Sequence, residues 1–278
     1  MKKKEPMPTR MRRQMEKHKR PMIIYFVLRA IVLAALILSA IRGRYENVAI
    51  CFLTLVLFLL PAFVEKNFRI DLPDTLEIII LLFIFAAEIL GEIGAWYVKV
   101  DGWDTMLHTI NGFMFAAIGF CLVDLLNRER TFQFELSPFF LTVVAFCFSM
   151  TIGVLWEFFE FGMDQFFLTD MQKDTIIHQF GTVMLDPTNS NTAVIVSGIE
   201  DVAVNGESLG LGGYLDIGLI DTMKDLLVNF IGAVVFSTIG YFYVKSRGKN
   251  KFATHFIPVV EREDNESQPP EGEEKRED

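Results

Sequence analysis

The chain has 278 residues, 51% of them hydrophobic, and a formal net charge of −9. A mean hydropathy of +0.35, with the apolar residues gathered in long runs, excludes an ordinary soluble domain and indicates a helical membrane protein. The charge is segregated into a basic start and an acidic end. Because the basic start directly precedes an apolar run, we interpret it as a topology signal and not as a nucleic-acid-binding segment.

Three single cysteines lie inside apolar runs, at positions 51, 121 and 147, and no pair has the spacing of a zinc site. The first apolar run is longer than the apolar core of a signal peptide and lacks a clear cleavage site. We therefore expect it to be the first membrane anchor.

Six apolar runs follow the basic segment 1–20, and each is long enough to cross a bilayer as a helix. The predicted fold class is all-α, a multi-pass transmembrane bundle of about six helices within a membrane domain at 21–244. The predicted spans are 21–41, 47–64, 75–98, 105–126, 139–163 and 221–244.

Lysines and arginines between the spans predict the orientation. They are concentrated in the segments that share a side with the N-terminus, and the long segment after the fifth span contains only Lys173. Arg42 and Arg44 are the exceptions to this bias. The bias predicts that both termini are cytoplasmic.

Two segments outside the spans have distinct compositions. The loop at 165–220 is polar and rich in turn residues, with one β-branched stretch at 193–196 that predicts a short strand or hairpin. We expect this loop to form a small extracytoplasmic cap. The segment 245–278 is predicted to be a cytoplasmic acidic tail, disordered and dispensable for folding from residue 261 onward.

The fifth span carries a stripe of acidic residues at its outer end. Glu157, Glu160 and Asp164 are spaced i, i+3 and i+7, so they share one face of a helix. Carboxylates at membrane depth cost several kcal/mol each unless they are paired, hydrated, protonated or bound to a metal. The stripe therefore predicts a partner for these groups elsewhere in the bundle.

The predicted topology brings further ionisable residues to the same outer level. Pairs at i and i+4 occur in the third, fourth and sixth spans, whereas the inner halves of these helices are nearly free of charge. The pairs are Glu88 with Glu92, Asp104 with His108, and Asp221 with Asp225. Four helices are thus expected to form one polar cluster near the outer leaflet.

This many carboxylates at close range need cations or shared protons. Oxygen-rich sites suit Mg²⁺, Ca²⁺ or Mn²⁺, and a histidine also admits Zn²⁺. The sequence predicts a divalent-metal site formed by Asp104, His108, Glu157, Glu160, Asp221 and Asp225. Proton sharing is the rival interpretation, and His108 can alternatively act as a general base.

Simpler interpretations stay open for several of these residues. Asp104 and Asp221 can cap the fourth and sixth helices, and Asp164 can simply be solvated at the interface. Tryptophans 96, 103 and 156 fit an aromatic belt. Small residues in the last span, at 232, 233, 237 and 240, predict close helix packing.

Four blocks in this order resemble the bacterial membrane-protein family DUF2238, also called YjdF-like. The blocks are GWDTMLH at 102–108, GF at 112–113, LWEFFEF at 155–161 and LIDTMKDL at 219–226. The resemblance implies a location in the bacterial cell membrane and supplies no reaction. It runs from about the third span to the sixth.

A looser likeness links two short blocks to VanZ-like proteins. These are the Asp104 and His108 pair, and DLLVNFIG at 225–232. This likeness implies a link to the bacterial envelope and to the glycopeptide response.

Three functions compete at this point. The cluster can serve an envelope enzyme or binding protein that acts on a lipid-linked or headgroup substrate through a metal. It can instead only hold helices together in a structural or regulatory protein. A transporter is less favoured, because paired repeats and interrupted helices at the midplane are lacking. The expected partners are the lipid bilayer and a lipid or lipid-linked ligand.

Overall fold

The structure is a computed structural model that describes residues 19–68, 70–128, 136–246, 253–257 and 259–260. Almost all of the predicted basic start at 1–20, and the tail from 261 onward, lie outside the described residues. The expectation that this tail is dispensable therefore stays a prediction.

The chain is mostly helical, and every predicted span coincides with helical structure. Eight α-helices, α1 to α8, and one π-helix are present in the described ranges. They are α1 (Lys19–Ile41), α2 (Tyr45–Leu57), α3 (Leu60–Phe68), α4 (Asp74–Phe85), the π-helix (Ala86–Ile93), α5 (Trp96–Lys99), α6 (Trp103–Arg128), α7 (Pro138–Phe167) and α8 (Leu219–Lys245).

Short strands, which an all-α description leaves out, form antiparallel pairs. The strands are β1 (Ile70–Asp71), β2 (Ile176–Ile177), β3 (Gln179–Thr182), β4 (Val194–Ser197), β5 (Ala203–Val204), β6 (Glu207–Ser208), β7 (Tyr214–Leu215) and β8 (Val259–Val260). Pairing joins β1 to β8, β2 to β7, β3 to β4 and β5 to β6. Strand β4 confirms the strand predicted at 193–196.

Five helical segments in the described ranges are long and apolar enough to cross a bilayer. They are Lys19–Ile41, Tyr45–Asn67, Trp103–Val123, Pro138–Phe167 and Leu219–Lys245. The predicted third span at 75–98 is not among them, because it is folded as α4, the π-helix and α5 in succession. Ala95 has a left-handed φ of 57°, and this ends the continuous helix before α5.

The last three long helices, α6, α7 and α8, pack closely against one another. A Cβ atom built on Gly232 would lie 2.1 Å from the Thr109 carbonyl oxygen, and one on Gly112 would lie 2.1 Å from that of Asn229. The backbones of α6 and α8 can therefore approach this closely only with glycine at both positions. The packing predicted from the small residues of the last span is thus observed.

Aromatic rings fill the part of this three-helix contact that lies away from the acidic residues. Phe120 and Phe236 are fully buried and lie 6.1 Å apart between ring centroids, and Phe113 meets Phe236 edge-on at 5.1 Å. Buried alanines at 116, 117, 145 and 233 surround them. The polar end of the bundle is therefore separated from the other end by a packed apolar layer.

The segment between α7 and α8 contains a turn organised by one carboxylate. Asp186 accepts hydrogen bonds from the backbone N–H and the hydroxyl of Thr188, at 2.9 and 2.6 Å, and from the N–H groups of Ser190 and Thr192, at 2.8 and 3.2 Å. These donors, the Thr188 hydroxyl above all, hold the pKa of Asp186 well below its usual range. Because the pKa of Asp186 is lower in the folded chain than in the unfolded chain, its ionised carboxylate stabilises the turn fully at a pH above the unfolded pKa. This stabilisation is lost as the pH falls through the lowered, folded pKa.

Replacing Asp186 by alanine is expected to loosen this turn without unfolding the helices. The donors lose their acceptor together, so amide exchange at 186–192 should become faster, while exchange in the helices stays unchanged. Hydrogen exchange followed by mass spectrometry measures both regions in one experiment. Exchange across α7 and α8 that is faster than in the unmodified chain would contradict the local role.

Candidate functional site

Helix α6 presents the first two residues of the predicted cluster. It begins at Trp103, so Asp104 and His108 fall in its first two turns and on one face. His108 Nε2 lies 3.6 Å from Asp104 Oδ1. The His108 side chain is 7% exposed and that of Asp104 is 30% exposed, so Asp104 is the more accessible of the two.

Helix α7 contributes two buried glutamates. Glu157 and Glu160 are 4% and 7% exposed, and Glu157 Oε1 lies 4.0 Å from His108 Nδ1. Gly153, one turn before Glu157, contacts the Asn229 side chain so closely that a Cβ there would lie 2.7 Å from its nitrogen. The glycine thus lets the acidic end of α7 approach α8.

Helix α8 completes the cluster with Asp225, which is 3% exposed. Its Oδ2 lies 3.9 Å from His108 Nε2. One carboxylate oxygen of Asp104 and one of Asp225 lie within 4.8 Å of each other. Two carboxyl groups at this distance need a shared proton or a cation between them.

His108 lies at the centre of two overlapping groups of potential ligands. One group contains Asp104 and Asp225, the other contains Glu157 and Glu160, and within each group the ligand atoms lie within 4.8 Å of one another. Ligand atoms that share a zinc or similar ion are about 3.0–3.5 Å apart, given bonds of about 2.0–2.2 Å. Side-chain movements of about 1 Å would bring either group towards that spacing.

One atom in the cluster lacks a hydrogen-bond partner among the described residues. Glu157 Oε1 is buried and forms no hydrogen bond, although the other oxygen of the same carboxylate accepts one from Gln172. A buried carboxylate oxygen without a donor is costly. The position of this oxygen therefore indicates that a cation, or a proton on His108, faces it.

Asp221 is not in either group of potential ligands. It lies one turn before Asp225, and its Oδ2 accepts a hydrogen bond from the Lys173 backbone at 2.7 Å. Asp221 is not the N-cap of α8, which begins at Leu219 after Gly218, but it lies in the first turn, where a carboxylate complements the helix dipole. The Ile220 N–H instead donates to Asp216, at 2.8 Å.

Asp104 is likewise not the N-cap of α6, which begins one residue earlier, at Trp103, but it also lies in the first turn. Asp164 is neither freely solvated nor part of the cluster. It accepts hydrogen bonds from the hydroxyl of Thr169 and from the backbone of Met171 and Gln172, at 2.7, 2.7 and 2.8 Å. Its role is to fix the chain that follows α7.

Glu88 and Glu92 lie on the π-helix and are less buried than the glutamates of α7. Tyr97 packs on the π-helix, since a Cβ built on Gly91 would lie 2.3 Å from its ring. The neighbouring Trp96 packs edge-on against Trp103 at the start of α6, with 4.6 Å between ring centroids. The third helical region thus borders the cluster without contributing to either group of potential ligands.

Two polar residues near the cluster were missed at the sequence level. Asn111 donates to Asn229 Oδ1 at 3.3 Å, one turn deeper than His108, and its i+3 spacing from His108 was a usable signal. Gln172 donates to Glu157 Oε2 at 3.4 Å from a non-helical segment, where no periodic pattern identifies it.

Comparison with known proteins gives one relative and one family. The chain is 25% identical over 139 residues, half of its length, to an uncharacterised protein of Thermotoga maritima, and the match covers 70% of that protein. No solved structure matches. The family model described as "Predicted membrane protein (DUF2238)" matches residues 24–246. That range includes α6, α7 and α8 with all the residues of the cluster, and the chain therefore belongs to the DUF2238 family of membrane proteins.

Proposed function

We propose that this protein binds a divalent cation near the outer leaflet of the bacterial cytoplasmic membrane and uses it to hold a lipid-linked or headgroup substrate. The observation that carries the proposal is that the buried His108 side chain faces carboxyl groups from all three helices, with Asp104 and Asp225 beside Nε2 and the unpartnered oxygen of Glu157 beside Nδ1. A cation bound by His108 and the neighbouring carboxylates neutralises the charge that these groups would otherwise bring into the membrane.

The chemistry of the cluster limits the cation and the ligand. Carboxylates with one imidazole suit Mg²⁺, Ca²⁺, Mn²⁺ or Zn²⁺. Asp104 is the more exposed ligand, so a bound cation would be reached from its side and could contact an anionic headgroup there. The likeness of the 104–108 and 225–232 blocks to VanZ-like proteins is consistent with a substrate of the envelope.

A structural role is the second candidate, and a specific observation favours it. The three helices are already joined by hydrogen bonds between neutral groups, since Ser149 donates to the Gly112 carbonyl at 2.7 Å and Asn111 donates to Asn229. A carrier is less well supported, because beyond the cluster the contact between α6 and α8 is filled by the packed rings of Phe113, Phe120 and Phe236.

Direct cation binding tests the proposal. Protein purified in mild detergent and freed of metal is titrated with Mn²⁺, Co²⁺ and Zn²⁺, and bound metal is measured by elemental analysis. We expect saturable binding of about one cation per chain, lost in His108→Ala because this residue belongs to both groups of potential ligands. The exposed Glu200→Gln change is the matched control. Binding that is equal in the His108→Ala variant and the unmodified protein would contradict the proposal.

The site lies at the outer leaflet only if the topology is the proposed one. We predict that six helical regions cross the membrane, that both termini are cytoplasmic and that residues 168–218 lie outside. Alkaline phosphatase fused within 189–206 should be active, and a fluorescent protein fused after residue 251 should fluoresce. An inactive phosphatase fusion in a stably expressed chain would place the cluster on the cytoplasmic side.

A further inference from the structure

The segment that follows α7 returns to the cluster and is held there by both neighbouring helices. We call residues 169–173 the strap. Asp164 of α7 accepts hydrogen bonds from Met171 and Gln172 in the strap, and Asp221 of α8 accepts one from Lys173. The strap is therefore fixed to both helices by their carboxylates.

The Gln172 side chain points from the strap into the site. Its Nε2 donates to Thr222 Oγ1 at 2.6 Å and to Glu157 Oε2 at 3.4 Å. Gly218, with a φ of +77°, makes room for it, since a Cβ there would lie 2.7 Å from the Gln172 Cβ. The local backbone thus places this amide between α7 and α8.

This contact divides the two oxygens of Glu157 between two partners. Oε2 accepts from Gln172, and Oε1 is left facing His108 Nδ1. An imidazole that binds a metal through one nitrogen commonly donates its other N–H to a carboxylate, which fixes the orientation of the ring. Nδ1 faces that carboxylate, and Nε2 faces Asp104 and Asp225.

We propose that Gln172 is a positioning residue for the cation site: it holds Glu157, and Glu157 in turn holds His108 with Nε2 directed at the cation between Asp104 and Asp225. This inference rests on the proposed cation site and assigns a role in it to the extramembrane segment. Glu157 is then an outer partner of His108 and does not contact the cation.

Cation affinity in a double-mutant cycle tests this order of contacts. Co²⁺ is titrated into the full-length protein and into Glu157→Gln, Gln172→Ala, the double variant, and Asp225→Asn. Loss of a carboxylate behind a ligating histidine weakens metal binding about 10–100-fold, so Glu157→Gln should fall in this range. Gln172→Ala should weaken binding less, by about tenfold at most, and should add nothing in the Glu157→Gln background.

Thr169→Ala is the matched control, because it removes a strap hydrogen bond to Asp164 without touching the Gln172 side chain. It should leave Co²⁺ affinity unchanged even if it lowers thermal stability in chelator. In Gln172→Glu, the new side chain is an ionised carboxylate and cannot donate a hydrogen bond to Glu157. This change should therefore weaken Co²⁺ binding at least as much as Gln172→Ala does.

The outcomes separate this inference from the proposed function. No saturable Co²⁺ binding by the unmodified protein overturns both. Binding that survives Glu157→Gln and Gln172→Ala unchanged overturns only the inference. If Glu157→Gln loses Co²⁺ binding as completely as Asp225→Asn does, Glu157 is a direct ligand. If the effects of Gln172→Ala and Glu157→Gln are additive, Gln172 acts elsewhere. Either result overturns the positioning role and leaves the cation site in place.

Discussion

Leucine in place of Gly232 is expected to prevent α6 and α8 from packing against each other. Without this contact, the residues of the cluster cannot come together. Even the Cβ of alanine would lie 2.1 Å from the Thr109 carbonyl oxygen and 2.9 Å from the Phe113 nitrogen, and both are backbone atoms of a packed helix. Overpacking of this kind costs about 1–3 kcal/mol when neighbours can shift, and more when they cannot. Gly232→Ala should therefore be strongly destabilised, and Gly232→Leu should fail to fold.

Thermal unfolding in detergent, monitored by circular dichroism and by size-exclusion chromatography, measures this effect. Gly162→Ala is the matched control, because Gly162 also lies within a long helix but a Cβ added there would meet no neighbouring atom within 4 Å among the described residues. That change should be neutral or slightly stabilising, since alanine is the better helix former. Equal melting temperatures for Gly232→Ala and Gly162→Ala would refute the close approach of α6 and α8.

The helices could be predicted because each is encoded locally by a long apolar run. The small residues at 232, 233, 237 and 240 also predicted a close contact between helices. The partner of that contact, Gly112 on α6, could not be deduced from the sequence, because which two helices meet is decided by packing across the whole bundle. The break at Ala95 was missed for a related reason, since a left-handed alanine has no compositional signal.

The residues around His108 were also predictable where their spacing along one helix brings them together. Asp104 with His108, and Glu157 with Glu160, share helix faces by periodicity alone, and the topology brings these faces together. Asp221 and Asp164 followed the same periodicity, yet each is engaged by the strap. Their partners come from a loop whose path is not periodic, so spacing along a helix could not separate them from the residues around His108.

Chelation is expected to lower the melting temperature of the protein, and Asp225→Asn is expected to remove that dependence. A cation that binds only the folded state at a hundredfold excess over its dissociation constant stabilises it by about 2.7 kcal/mol. For a chain of this size, this corresponds to a shift of about 5–10 °C. Since Asp225 is 3% exposed and lies 3.9 Å from His108 Nε2, its loss should abolish the shift.

Proton sharing predicts the opposite pattern for the same variant. If Asp104 and Asp225 share a proton and no cation binds, chelator has no effect, and Asp225→Asn is neutral or stabilising because it removes one acid from a crowded site. Melting curves of the unmodified protein, Asp225→Asn and the exposed Glu200→Gln control, each with EDTA and with added Mn²⁺, distinguish the two. If Asp225→Asn is stabilised and the melting temperature of the unmodified protein does not respond to EDTA, the cluster has a structural role. Neutral pairing of its carboxyl groups would then suffice to hold the three helices together.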